Sequence, residues 1–169
     1  MTVGHTEIWF RGVFNRFFEQ LRHYLYYLSG DVHWTEDALQ EVFIILWEKR
    51  HFIDDETIGS YLYKIARNLY LKRKRHEEVE LRFLKESVEP GIDDSVTHQL
   101  ELDEFDVRLQ AALSDLPPGC RTVFLMSRME EMSNRQIAEN MGISVKAVEK
   151  QITKALKVLK IRLGEEERK

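Results

Sequence analysis

The chain has one cysteine, Cys120, among 169 residues. A single thiol excludes an internal disulfide and any Cys-x-x-Cys pair, so neither a disulfide scaffold nor a dithiol redox motif is available. Cys120 reads as a small buried apolar residue, with a reactive thiol as the alternative. No apolar run approaches the ~20 residues that cross a bilayer, so direct membrane insertion is not expected. The N-terminal "MTVGHTEIWFRG" lacks a basic segment followed by an apolar core, the pattern of a signal peptide. These absences lead us to expect a reduced, cytoplasmic protein. The histidines, His5, His23, His33, His51, His76 and His98, are scattered. None makes His-x-x-x-His or pairs with cysteine at ligand spacing, so no metal site is expected. There is no Ser/His/Asp grouping and no glycine-rich phosphate loop. The expectation is therefore a protein that is not an enzyme, with no catalytic residues, cofactor or small-molecule substrate.

The chain is not short of charge, but its charge is sorted. The net value is −4. Residues 77–106 hold eleven Asp/Glu against only Arg82 and Lys85. Basic segments lie on either side, a basic–acidic–basic layout that the total conceals. The most concentrated is "YLYKIARNLYLKRKRH", residues 61–76, with six Lys/Arg, three tyrosines and no acid.

Periodicity is helical throughout, and no strand pattern stands out. Phe10, Val13, Phe14, Phe17, Phe18, Leu21, Tyr24, Leu25 and Leu28 recur at helical spacing until "SGD" interrupts them. A second helix is expected from Thr35, taken as its N-cap, to Lys49, with Ala38, Leu39, Val42, Phe43 and Leu46 on one stripe. "HFIDDETIGS" reads as a loop. Residues 61–76 form a third helix with Leu62, Ile65, Ala66 and Leu69 inward. On the opposite side gather Tyr61, Lys64, Arg67, Asn68 and Arg75, with Lys72 at the edge. Residues 77–104 fit an acidic linker. A short amphipathic helix near Val79 to Leu84 is compatible with it. The last third is helical again, with "DLPPG" as a stop. The expected fold class is all-α: two small helical domains, 1–76 and 105–169, joined by the acidic linker 77–104.

The most specific local signal is "SNRQIAENMGISVKAVEKQITKALKVLKIRL". Ser133 and Gln136 have the spacing of a capping box. Ala138 is small where two helices must cross, Gly142 sits where a left-handed turn residue is needed, and Ser144 caps the next helix. Val148 opens a stripe with Ile152, Ala155, Leu156, Leu159 and Leu163. The Ala–x3–Gly–x5–Val spacing is that of a helix-turn-helix. On its last helix Lys146, Lys150, Lys154, Lys157 and Lys160 share an arc of about 120°. A solvated lysine face on a core helix is the alternative for the lysines alone. Ala147, Lys150, Gln151 and Lys154 are the candidates for base-edge contact.

The first half resembles region 2 of bacterial RNA polymerase sigma factors, and more narrowly their extracytoplasmic-function group. The Asp-Ala-x-Gln-Glu-Val-Phe-x-x-x-Trp pattern stands here as Asp37, Ala38, Gln40, Glu41, Val42, Phe43 and Trp47. The Trp-Leu-x-x-Ile-Ala-Arg-Asn pattern stands as Tyr61, Leu62, Ile65, Ala66, Arg67 and Asn68. From "LSDLPPGCRTVFLM" through the helix-turn-helix the chain resembles region 4. Two departures stand out: Tyr61 replaces the usual Trp, and "VEKQITKALKVLK" has fewer arginines than the family pattern.

The resemblance implies a non-enzymatic factor that binds core RNA polymerase and directs promoter recognition and transcription initiation. Its implied partners are the largest-subunit clamp coiled coil and the flap of the polymerase, promoter DNA, and an anti-sigma factor. Asp37, Gln40, Glu41, Phe43 and Trp47 would meet the polymerase. Core packing is the alternative for Phe43 and Trp47. Tyr61, Lys64, Arg67, Asn68, Lys72 and Arg75 would read and hold the melted −10 region. The loop from Phe52 to Ile58 would cradle a flipped base, and Lys146, Ala147, Lys150, Gln151 and Lys154 would meet the −35 element. For Lys72 to Arg75 a solvated helix end is the alternative. The competing function is a stand-alone helix-turn-helix regulator with a helical sensor domain.

Overall fold

A computed structural model describes residues 3–84 and 102–164. Among them are seven α-helices, one 3-10 turn and no strand. Helix α1 spans Val3–Ser29. It ends because Gly30 turns left-handed (φ +68°), its amide donating to the Tyr26 carbonyl at 2.8 Å. Helix α2, Val32–Lys49, begins before Thr35. Asp31, not Thr35, is the N-cap: it stays extended and accepts from the Trp34 amide at 3.0 Å. Thr35 is instead buried, its hydroxyl 3.3 Å from that of Ser29.

After the 3-10 turn Arg50–Phe52, helix α3 runs Ile58–Phe83. It therefore claims the end of the expected loop and the first residues of the expected linker. Cations and acids one turn apart carry it across the boundary. Arg73 meets Glu77 at 2.7 Å and Lys74 meets Glu77 at 3.0 Å. The rest of that linker, residues 85–101, lies outside the described residues.

Helix α4, Glu104–Ser114, starts with a capping box between Asp103 and Asp106. Helix α5, Pro118–Arg128, opens on a proline whose missing N–H costs nothing in a first turn. Helices α6, Asn134–Met141, and α7, Val145–Gly164, are the last of the described residues. No described helix is long and apolar enough to cross a membrane.

The two halves do not stand apart. Helix α1 packs on α2 and α3 through one side and on α4 and α5 through another. Residues 24–28 are consecutively buried, so α1 is covered nearly all round at that point. Leu21, Tyr24 and Leu28 share one core with Leu113, Leu116, Cys120, Phe124 and Leu125 from beyond the acidic stretch. Val123, Met126, Ile137, Ala138 and Val148 form a second, smaller core within the last third.

The joint is also polar. Arg121 is buried, and its guanidinium donates to the carbonyls of Leu28 (2.6 Å), Leu113 (2.9 Å), Ser114 (3.2 Å) and Leu116 (3.3 Å). One cation thus satisfies the carbonyl ends of both α1 and α4. Nearby, the Tyr27 hydroxyl donates to Asp106 at 2.6 Å, and His23 lies 3.6 Å from the same carboxylate. The end of the Gln110 side chain of α4 lies against Gly30, but it could swing away from a Cβ there; it is the left-handed φ that favours glycine at this position.

Candidate nucleic-acid interface

Three surfaces carry the residues singled out in the sequence. On α3, Lys64, Asn68, Lys72 and Arg75 are exposed, and Tyr61 is half-buried against the core. Arg73 and Lys74 are spoken for. Arg73 bonds Asp31 at 2.9 Å as well as Glu77 and lies 5.0 Å from the Trp34 ring, while Lys74 lies 5.7 Å from that of Tyr70. The Asp31 carboxyl, which burial alone would raise, sits below its usual value because Trp34 N–H and Arg73 bond it.

Arg67 departs from the expected outward face. It is only 5% exposed, and its Nη1 meets both oxygens of Glu130 at 2.7 Å. The Glu130 side chain is itself buried, and its Oε2 also accepts from the Tyr24 hydroxyl at 2.8 Å. Helical spacing placed Arg67 with the surface cations; the turn after α5, which brings Glu130 to it, encloses it. Burial works against its charge, but Glu130 outweighs that and holds its pKa above the ordinary guanidinium value. Burial and then Glu130 push the Tyr24 phenol well above its usual range, and for the same reasons Tyr63 rises to about 12.

On α2, Asp37, Gln40 and Glu41 are exposed, and Trp47 retains 37% of its surface. Phe43 does not join them. It is 5% exposed and packs with Phe14 at 4.8 Å and Phe18 at 6.1 Å between ring centres. It belongs to the core, the alternative given for it from the sequence, and its edge lines the groove beside Trp47. The exposed apolar residue there is Ile44, at 57%, which the sequence stripe did not single out. Phe10, Phe14, Gln40, Ile44 and Trp47 help line a groove of about 1100 Å³ between α1 and α2. Next to it, Arg50 covers the Trp47 ring at 4.1 Å. The loop after α2 exposes Phe52 (87%) and is pinned by Trp9, whose indole N–H donates to Asp55 at 2.7 Å.

In the last third the helix-turn-helix has its expected local geometry. Ser133 Oγ accepts from the Gln136 amide at 3.1 Å, and Gln136 Oε1 accepts from the Ser133 amide at 2.9 Å. Gly142 is left-handed at φ +66°, and Ser144 Oγ accepts from the Ala147 amide at 3.0 Å. Val148, Ala155 and Leu159 are buried on α7, whereas Leu156 is exposed, off the edge of the stripe. Lys146, Lys150, Lys154, Lys157 and Lys160 are all exposed along the outer face. Ala147 is half-buried. Gln151 turns partly inward: its Oε1 is buried without a hydrogen-bond partner among the described residues, and its carbonyl accepts from Cys120 Sγ at 3.2 Å.

The sequence reading missed Glu130, Arg121 and Asp106. Their contacts across the joint reach far along the chain, Glu130 to Arg67, Arg121 to Leu28 and Asp106 to Tyr27, and no local spacing signals those. Asp106, which burial alone would raise, is held below the usual carboxylate value by the Tyr27 hydroxyl, the Asp103 amide and His23.

The sequence matches the family model for Sigma-70 region 2 over residues 13–79 and that for Sigma-70, region 4 over residues 106–159. It is 28% identical over 130 residues to the ECF RNA polymerase sigma factor SigE of Mycolicibacterium smegmatis. That match covers 75% of this chain and 51% of SigE, so the chain spans about half the length of that relative. It is 23% identical over 135 residues to SigM of Bacillus subtilis, covering 78% of this chain and 81% of SigM. The fold is similar to RpoE from Bartonella quintana in its complex with the anti-sigma factor NepR. There the TM-score is 0.69 at 20% identity, covering 92% of this chain and 96% of that one. It is also similar to CnrH in complex with the cytosolic domain of CnrY, with TM-score 0.60 at 22% identity, covering 92% and 87%. Sigma-70 region 2 followed by Sigma-70 region 4, together spanning most of the chain, define a sigma factor. The chain belongs to the sigma-70 family, in its extracytoplasmic-function group.

Proposed function

We propose that this chain binds core RNA polymerase through the exposed face of α2, melts and holds the −10 region with α3, and contacts the −35 element with α7. The observation that carries this reading is the pair of outward cationic faces, on α3 and α7, within one chain that matches both sigma regions. Asp37, Gln40, Glu41, Ile44 and Trp47 meet the clamp coiled coil of the largest subunit, the polar groups ringing an apolar anchor. The second module meets the flap.

On α3, Lys64, Lys72 and Arg75 neutralise phosphates of the separated strand, and Asn68 offers an amide to base edges. Tyr61 and the exposed Phe52 supply flat surfaces for unstacked bases, each stack contributing about 1–3 kcal/mol. That offsets the few kcal/mol lost when a base leaves the duplex. On α7, Lys146, Lys150 and Lys154 hold phosphates beside the base contacts of the helix N-terminal part. Phe43 and Gln151 are left out of contact roles. The sigma region 2 module takes residues 1–76 and the region 4 module residues 105–169, joined by 77–104. We further propose that an anti-sigma factor restrains the chain, that it works in the cytoplasm, and that it catalyses no reaction itself.

The test is open-complex formation with core polymerase on a promoter recovered by the chain. Lys64→Ala and Asn68→Ala should lower permanganate reactivity of −10 thymines while leaving binding to core unchanged. Specific duplex binding without polymerase, and no melting with it, would instead identify a stand-alone helix-turn-helix regulator.

A further inference from the structure

The loop between α2 and α3 is held mostly by its own neighbours. Arg50 donates to the Trp47 carbonyl at 2.5 Å, and the Thr57 amide and hydroxyl donate to the Asp54 carbonyl at 3.1 Å and 3.2 Å. No residue of the 3-10 turn Arg50–Phe52 is buried. A cleft of about 170 Å³ separates the loop from α1, with Thr6 and Trp9 on one side and Ile53, Asp54 and Asp55 on the other. One hydrogen bond spans it: the Trp9 indole N–H donates to Asp55 at 2.7 Å. Among the described residues, no other hydrogen bond ties residues 51–57 to α1. Trp9 is itself fixed, half-buried on the face of α1 that also buries Thr6 and Val13. Its indole can only donate, and a carboxylate acceptor strengthens the bond. Asp54 and Asp55 face the cleft, whereas Phe52 does not line it and is 87% exposed.

We propose that Trp9 is a positioning residue for base capture: by holding Asp55 it pre-orders the loop that presents Phe52 to an unstacked base of the melted strand. A stacking surface binds more tightly when the chain that carries it is already fixed, because less ordering is left to binding. The loop also carries three successive acids, Asp54, Asp55 and Glu56, close after Phe52. Carboxylates free to move there would repel phosphates. The indole keeps the Asp55 charge on the α1 side of the loop. Helix α1 thereby acts on the −10 strand without touching it. This inference rests on the reading of Phe52 as a stacking surface.

The test uses the full chain with core polymerase on a promoter recovered by the chain, with one abasic nucleotide placed at each melted −10 position in turn. The position whose base loss weakens binding in wild type but adds nothing in Phe52→Ala marks the base on Phe52. Trp9→Phe keeps a ring and loses the N–H. It should weaken binding to the intact promoter by about three- to tenfold. On the promoter abasic at the marked position it should weaken binding by less than about twofold. Asp55→Ala should match Trp9→Phe, and Asp55→Asn, which keeps an acceptor oxygen, should stay near wild type. In the chain alone, amide hydrogen exchange of residues 51–57 should quicken in Trp9→Phe while that of α2 and α3 stays unchanged. A general loss of stability would instead weaken binding equally on every promoter. Equal weakening on intact and abasic promoters, or unchanged exchange in the loop, would overturn the positioning role. A loss in Asp55→Asn as large as in Asp55→Ala would overturn the hydrogen bond as its cause. If Phe52→Ala marks no position, the reading of Phe52 fails and the role of Trp9 with it. The assignment of α3 is judged separately, by the melting defects of Lys64→Ala and Asn68→Ala.

Discussion

Replacing Arg121 by Met should cost about 3 kcal/mol of stability. The side chain is buried, and its three shortest bonds reach the carbonyls of Leu28 at 2.6 Å, Leu113 at 2.9 Å and Ser114 at 3.2 Å. A bond from a charged donor contributes roughly 1.5–3 kcal/mol net, so three of them are worth about 4–9 kcal/mol. Burying the guanidinium costs several kcal/mol, which Met recovers. Met also keeps most of the aliphatic volume, so cavity formation adds little. Against that, the carbonyl ends of α1 and α4 lose their donor at the centre of the joint. For a chain of this size 1 kcal/mol moves the melting temperature by about 2–4 °C, so the midpoint should fall by roughly 6–12 °C. Circular dichroism at 222 nm during heating, with urea unfolding alongside, reads this directly. Arg121→Lys should recover only part of the loss, because a point charge cannot fork to several carbonyls. A Met variant within about 1 °C of wild type would refute the claim that this cation holds the two halves together.

Phe43→Ala should destabilise the fold by about 3–5 kcal/mol, whereas Ile44→Ala should change stability by less than about 1 kcal/mol and weaken association with core polymerase. Unfolding curves and pull-down with core separate the two, and the opposite pattern would return Phe43 to the interface. Asp106 is lowered below its unfolded value near 3.8, so the stability it adds is complete above that value. It is lost as pH falls through the still lower folded value. Asp106→Asn should therefore show a shallower fall in melting temperature than wild type as pH drops below about 4, and parallel curves would argue against the Tyr27 contact. Lys150→Ala should reduce the salt slope of −35 duplex binding by about 0.9, whatever the flanking sequence. An unchanged slope would make that lysine a solvated surface residue.

What was legible in the sequence follows the range of the interactions. The capping box at Ser133, the left-handed Gly142 and the cap at Ser144 each depend on neighbours within a turn, and the geometry matches them. Helix ends were less legible where two signals competed, as with Asp31 and Thr35. Periodicity placed Phe43 on the inward stripe, while the family pattern pulled it toward the interface; its burial decides for the stripe. Arg67 shows the opposite limit. Its place on the wheel is right for a helix packed only on α1 and α2, but the turn after α5 lays Glu130 over it. The acid that meets it lies 63 residues away, and the carbonyl of Leu28 lies 93 residues from Arg121. Such contacts depend on how modules dock, which no spacing within one helix encodes.

Transcription from genomic fragments by bacterial core polymerase, with and without this chain, followed by sequencing of the transcript 5′ ends, tests promoter direction most directly. Chain-dependent starts should share two upstream elements at a fixed spacing, and should be lost when Asn68 and Lys150 are both replaced by alanine. Starts identical with and without the chain would contradict a sigma role.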